Sequence, residues 1–181
     1  GNDELVFDGA SFVMGETCSI PLLQLPDCRE ATQIWNIAEE RSTAGNASTP
    51  TRQIHAEHHE MEALFLTLVT GLKDYAGKCG FTKALLGLSG GIDSALVAVI
   101  AAAALGSDQV QTLLMPSPWS SQGSISDALQ LANRLGIAHS IVPIDNLMNG
   151  FQATLTPALS TAPSGVTAEN LQSRIRGTLL M

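Results

Sequence analysis

The sequence predicts an α/β protein built on a doubly wound parallel sheet. Three observations carry this. After Gly77 and Gly80 short apolar runs alternate with helix-period segments, the signature of strand–helix–strand units. A glycine- and serine-rich turn, Gly87–Ser94, joins the first such strand to an almost wholly apolar helix. With 181 residues, 45% of them hydrophobic and 14% charged, the chain has enough apolar material to cover both faces of a sheet.

The elements can be taken in chain order. Asp8-Gly9 lies between Leu5-Val6-Phe7 and Ala10–Val13, a dipeptide that favours a hairpin turn, so residues 5–13 are expected to pair as two strands. Residues 14–54, with Pro21, Pro26, Pro50 and a polar stretch from Arg41 to Thr49, read as a connector between domains. Met61, Leu64, Phe65, Leu68 and Leu72 then recur at helical spacing, predicting an amphipathic helix from His55 to Ala76. His55, His58 and His59 near its start lack a partnering acid or fourth ligand, and a solvated helix end is the better reading than a metal site. Strands are expected at Ala84–Leu88, Val110–Met115 and Ile137–Ile144. Helices are expected at Ser94–Leu105, around Ile125–Leu135 before Gly136, and around Leu147–Leu155. Leu171, Ile175 and Leu179 mark a last helix, which meets no stop signal before Met181. Gly1 is not an initiator Met, and the chain is expected to be an excerpt of a longer one.

Composition excludes several classes. Aromatic residues are 4% and the formal net charge is −8, which argues against a nucleic-acid-binding domain. The longest apolar run, Ala95–Leu105, is too short to cross a bilayer, and no secretory signal opens the chain. Cys18, Cys28 and Cys79 have neither metal-type spacing nor an even count. A cytoplasmic setting is expected.

The turn Gly87-Leu88-Ser89-Gly90-Gly91-Ile92-Asp93-Ser94 suits a pyrophosphate. Glycines let backbone N–H groups approach phosphate oxygens, the two serines add hydroxyls, and the helix after the turn offers its positive end. Asp93 is a poor neighbour for phosphate unless a cation intervenes, which makes it a candidate Mg²⁺ ligand. The segment lacks the lysine of a Walker loop and does not fit G-x-G-x-x-G. Taken alone, it also fits a plain βα turn with Asp93 or Ser94 as N-cap.

Residues Ser89–Ser94 match the Ser-Gly-Gly-x-Asp-Ser signature of the ATP-pyrophosphatase (PP-loop) superfamily. Leu113–Ser124 and Thr167–Gly177 resemble the second-strand loop and substrate-binding helix of NAD synthetases. Gly1–Phe12 resembles the late hairpin of the nitrilase-type glutaminase domain in glutamine-dependent NAD synthetases.

The resemblance implies an incomplete adenine-nucleotide alpha-hydrolase-like (HUP-type) sheet preceded by a β-hairpin remnant of a nitrilase-like α/β domain. Residues 1–20 would end the glutaminase domain, 21–54 would form a linker, and 55–181 would be the N-terminal part of the synthetase domain. The implied activity is that of a ligase in NAD biosynthesis. ATP adenylates deamido-NAD with release of pyrophosphate, and ammonia derived from glutamine displaces AMP. Carried over by position, ATP contacts fall on Gly87, Leu88, Ser89, Gly90, Gly91, Ile92, Asp93, Ser94 and Met115, with Asp93 as the Mg²⁺ ligand. Asn170 and Arg174 fall on deamido-NAD contacts. No catalytic residue is assigned: the glutaminase cysteine is expected before Gly1, and the excerpt alone is expected to be inactive. Partners are small molecules and, in the parent protein, further copies of itself, with neither nucleic acid nor membrane. Two alternatives compete: another PP-loop amidotransferase, forming GMP or asparagine, and an adenine-nucleotide sensor without turnover.

Overall fold

The computed structural model describes residues 5–7, 9–14, 21–36, 53–54, 60–161 and 163–181. They fall into two compact units, residues 1–71 and 72–181. His55, His58, His59 and Cys18 lie outside the described residues.

In the first unit, β1 (Phe12–Val13) pairs antiparallel with β2 (Leu23–Gln24), and β2 pairs parallel with β3 (Gln53–Ile54). The expected antiparallel pair at the N-terminus is present, with different strands. Leu5–Phe7 forms no strand, and the segment after Gly9 pairs with residues 23–24 instead. The backbone supplies the reason: Gly9 and Ala10 have φ of 81° and 50°, and Gly9 bridges to Asp27. The Leu22 and Leu25 N–H groups donate to the Val13 and Ser11 carbonyls, both at 2.8 Å. Leu22 and Leu23 are buried, so the stretch expected as a connector contributes a strand and apolar contacts of its own.

Helix α1 (Glu60–Cys79) carries Glu60 and Glu62 in its first turn and Lys78 in its last, as the helix dipole favours. Its residues up to Gly71 belong to the first unit and the rest to the second.

The second unit is a parallel sheet of β4 (Ala84–Gly87), β5 (Val110–Leu114) and β6 (Ala138–Ile141), in that spatial order. Between them run α2 (Ile92–Leu105) and α3 (Gln122–Leu135), and after them α4 (Asp145–Leu159) and α5 (Val166–Leu180). The five-residue strand β5 is central, its residues alternating between the faces. Val110 and Leu114 pack with Leu88, Ala98, Ala101, Ala128 and Ala132 on the side of α2 and α3. Leu113 packs with Met115, Ile144, Met148 and Ile175 on the side of α4 and α5. Helices pack on both sides of β5, as in a doubly wound sheet, whereas every residue of β6 at the sheet edge is exposed. Alanines at the α2 and α3 contacts let those helices sit close to the sheet.

Strand ends differ slightly from expectation, while their bonding continues. The Leu88 N–H donates to the Leu113 carbonyl at 3.0 Å, one residue past β4. Beyond β6 the Val142 and Ile144 N–H groups donate to the Leu114 and Pro116 carbonyls at 2.8 and 3.0 Å. Pro143, without a donor, falls between these two bonds, so it ends the regular strand without breaking the pairing. No described helix is long and apolar enough to cross a membrane.

Candidate functional site

The C-terminal ends of parallel strands are where open α/β sheets bind ligands. Here the ends of β4 and β5 open onto a cleft of about 240 Å³. Its walls come from Gly87, Leu88 and Ser89 after β4, Leu114–Pro116 at the end of β5, Ser120 and Ser124 near the start of α3, and Arg176 and Leu180 on α5. That volume is below the ~300–1,000 Å³ usual for a site enclosing a whole small ligand. It suits one part of a longer molecule whose remainder lies along the adjoining loop.

The loop is held by its own hydroxyls. Ser94 Oγ donates its single proton to the Gly91 carbonyl at 3.0 Å and accepts from the Ser89 N–H at 3.2 Å. Ser89 Oγ, 3.0 Å from Ser94 Oγ, must therefore be the donor between the two hydroxyls. It accepts in turn from the Gly91 N–H at 3.2 Å. The two serines thus brace the turn internally, a role not evident from their phosphate-donor chemistry alone.

Helix α2 starts at Ile92, two residues before the expected Ser94, with Gly91 as its N-cap and no side chain capping it. Neither Asp93 nor Ser94 is the cap. A side-chain cap would compete for the first-turn N–H groups, and its absence leaves that end suited to an anion. Asp93, Ile92 and Gly91 are exposed, and Ser94 is half-buried.

Two glycines admit close neighbours. Gly90 has φ of 83°, and a Cβ there would collide with the Ser124 carbonyl oxygen and lie 2.8 Å from the Ser124 Cα and carbonyl carbon. The loop therefore abuts the first turn of α3, which Ser121 caps by accepting from the Ser124 N–H at 3.1 Å. At Gly87, a Cβ would lie 3.0 Å from Met115 Cε and 3.4 Å from Leu180 Cδ1. The missing side chain makes room for the tip of Met115.

Met115 is buried, and its carbonyl accepts two bonds from Arg176, from Nε at 3.1 Å and Nη2 at 3.0 Å. Burial of the Arg176 guanidinium lowers its pKa. The sequence pattern assigns Arg174 to substrate and leaves Arg176 as a residue of a solvated helix face, which its bonds to Met115 correct. Arg174 and Asn170 are exposed on α5, whereas Arg176 is half-buried and lines the cleft. Asn170 and Arg174 share a helix face four residues apart, turned away from the buried Ala168. The structure thus brings Gly87, Leu88, Ser89 and Met115 to one cleft and leaves Gly90, Gly91, Ile92, Asp93 and Ser94 of the loop, together with Asn170 and Arg174, outside its walls.

Among the described residues no group of three or more His, Cys, Asp or Glu could hold a metal ion. A lone carboxylate still fits Mg²⁺ when phosphate oxygens and water complete the shell. Asp93, exposed in the first turn of α2 beside the loop, meets that requirement. Cys79 is exposed, and Cys28 lies 3.6 Å from the Thr67 hydroxyl within the first unit, remote in sequence from the loop.

A parallel sheet whose strand-to-helix turn is this hydroxyl-braced Ser-Gly-Gly-x-Asp-Ser loop defines the PP-loop class of α/β fold. Residues 64–181 match the NAD synthase family, and the chain belongs to that family. The glutamine-dependent NAD(+) synthetase of Synechocystis sp. is 46% identical over 186 residues, covering 100% of this chain and 32% of that protein. Its Rhodobacter capsulatus counterpart is 44% identical, again over 100% and 32%. The structure of glutamine-dependent NAD+ synthetase from Acinetobacter baumannii in complex with adenosine diphosphate superposes with a TM-score of 0.88 at 37% identity, covering 100% of this chain and 33% of that one. The chain spans about a third of the length of these relatives.

Proposed function

We propose that this chain is part of a glutamine-dependent NAD synthetase, a ligase that amidates deamido-NAD at the expense of ATP. One observation carries the reading: the braced Gly87–Ser94 loop opens onto a cleft at the strand ends, in a chain of the NAD synthase family. A carboxylate accepts ammonia poorly until its oxygen becomes part of a good leaving group. Adenylation by ATP, with loss of pyrophosphate, makes AMP that leaving group. Ammonia drawn from glutamine then takes its place.

The loop's part is positioning and charge neutralisation. Ser89, Gly91 and Ser94 would bind the pyrophosphate together with the uncapped end of α2, and Met115 would border the adenosine. Asp93 would hold Mg²⁺, which supplies neutralisation of the phosphate charge as pyrophosphate departs. Asn170 and Arg174 would contact deamido-NAD arriving over the exposed face of α5, the amide by hydrogen bonding and the guanidinium by its charge. Residues 1–20 would close a nitrilase-like glutaminase domain, 21–54 would link the domains, and 55–181 would begin the synthetase domain. The protein would work in the cytoplasm as a homo-oligomer.

Membership of the NAD synthase family disfavours a GMP- or asparagine-forming ligase. The test is made on the full-length protein with ATP, Mg²⁺ and deamido-NAD, measuring pyrophosphate release and NAD formation. Pyrophosphate release that requires deamido-NAD, accompanied by glutamine-dependent NAD formation, is expected. ATP binding without pyrophosphate release under these conditions would refute the proposal in favour of the sensor reading.

A further inference from the structure

We infer that Arg176 is a positioning residue for nucleotide binding, which fixes the base-side wall of the cleft by holding the Met115 carbonyl. This rests on the reading of the cleft as a nucleotide site. Three observations converge on Met115. Its carbonyl, at the C-terminal tip of β5, takes both Nε and Nη2 of Arg176, 61 residues further along the chain. Its side-chain tip lodges in the space over Gly87, where a Cβ would lie 3.0 Å away. Its neighbours Leu114 and Pro116 line the same cleft as Arg176 and Leu180. Met115 is therefore held at both ends, by a guanidinium on one and by the lack of a side chain on the other.

An arginine is suited to this. Its rigid fork delivers two N–H groups to one oxygen, saturating a carbonyl that parallel pairing leaves exposed just past the strand. A lysine ammonium is a point donor and cannot reproduce that two-point restraint. The half-buried guanidinium has surrendered part of its hydration to make these bonds, as the downward direction of its pKa reflects. A cation serving only to attract phosphate would gain from staying solvated, as the exposed Arg174 is.

The experiment uses the full-length protein, wild type and the variants Arg176→Lys and Arg176→Met, titrated calorimetrically with adenosine and, separately, with Mg·pyrophosphate. Adenosine reports on the base-side wall and pyrophosphate on the loop. Both variants are expected to lose about tenfold in adenosine affinity, the scale of one or two lost hydrogen bonds, with pyrophosphate affinity within about twofold of wild type. Arg176→Lys retains the charge, so full recovery of adenosine binding in that variant would overturn the inference. So would a loss confined to pyrophosphate, which would mark a purely electrostatic role. Equal losses of both ligands with a lowered melting temperature would mark a general scaffold residue and overturn it too. A wild-type protein that binds neither adenosine nor Mg·pyrophosphate would refute the proposed function, and this inference with it.

Discussion

Gly90→Ala tests whether the loop depends on its contact with α3. Gly90 has φ of 83°, where a Cβ is disfavoured by about 1–2 kcal/mol on backbone grounds alone. The added methyl would also meet the Ser124 backbone, with Cα and the carbonyl carbon each 2.8 Å away. That obstacle is backbone in the first turn of a helix and cannot swing aside like a side-chain tip. Forced shifts of this kind cost about 1–3 kcal/mol, so the variant is expected to lose on the order of 2–5 kcal/mol. Two controls separate the contributions. Gly136 has φ of 67° with nothing within 4 Å of its Cβ, so Gly136→Ala isolates the backbone term. Gly91→Ala, at φ −84° with only the Ser89 hydroxyl at 3.3 Å, avoids the backbone term and meets a rotatable group. Denaturant unfolding of the full-length proteins, with m-values compared, gives the three losses. The expected order is Gly90 greatest, Gly136 intermediate and Gly91 least. Mg·ATP affinity is expected to fall furthest for Gly90→Ala. A Gly90→Ala protein no less stable than Gly136→Ala, with wild-type Mg·ATP affinity, would refute the close approach of loop and helix.

The remaining predictions address the proposed chemistry. Asp93→Asn is expected to slow Mg·ATP-dependent adenylation by about a hundredfold or more while sparing glutamine hydrolysis, measured by single-turnover pyrophosphate release and glutamate formation. Asn170→Ala is expected to weaken deamido-NAD by about tenfold to a hundredfold and leave ATP unchanged, because its exposed face lies off the cleft; equal losses for both ligands would contradict it. Cys18, Cys28 and Cys79 are each expected to tolerate serine with glutaminase activity retained, and loss of hydrolysis in a folded variant would contradict that. At Cys28 a small loss of stability, about 1 kcal/mol, is expected from weakening its contact with Thr67, read from the denaturation midpoint.

Much of the second unit was legible because its signals are local. The apolar runs at Ala84–Leu88 and Val110–Met115 are bounded by glycine or proline, and buried parallel strands need only such runs. Gly106 and Gly136 closed their helices where a C-terminal glycine is expected, at φ of 93° and 67°. The start of α2 was harder, since Gly91 caps it without a side chain and left nothing in the residue type to mark it. The first unit was harder still. Asp8-Gly9 implied a turn, but turn chemistry does not select the strand that pairs with Phe12–Val13. Here the partner is Leu23–Gln24, which pairing and burial select from within an irregular segment.

The site divides in the same way. The place of Gly87 and Ser89 at the cleft could be read directly, because it comes from residue type and order in one short loop after a strand. Arg176 could not, because its partner is a backbone carbonyl 61 residues away, and a carbonyl leaves no trace in a sequence. A weaker signal did exist. Arg174 and Arg176 flank the buried Ile175 at equal angles, so phase about that residue does not separate them, but Arg176 lies four residues before Leu180, which packs on the core and lines the cleft. An arginine at the margin of an apolar stripe has its stem against the core and its head at the rim, so it reaches a neighbouring strand end while one on the outer face does not. The pairing with Leu180 one turn on distinguishes the two arginines, although residue type and spacing about Ile175 treat them alike.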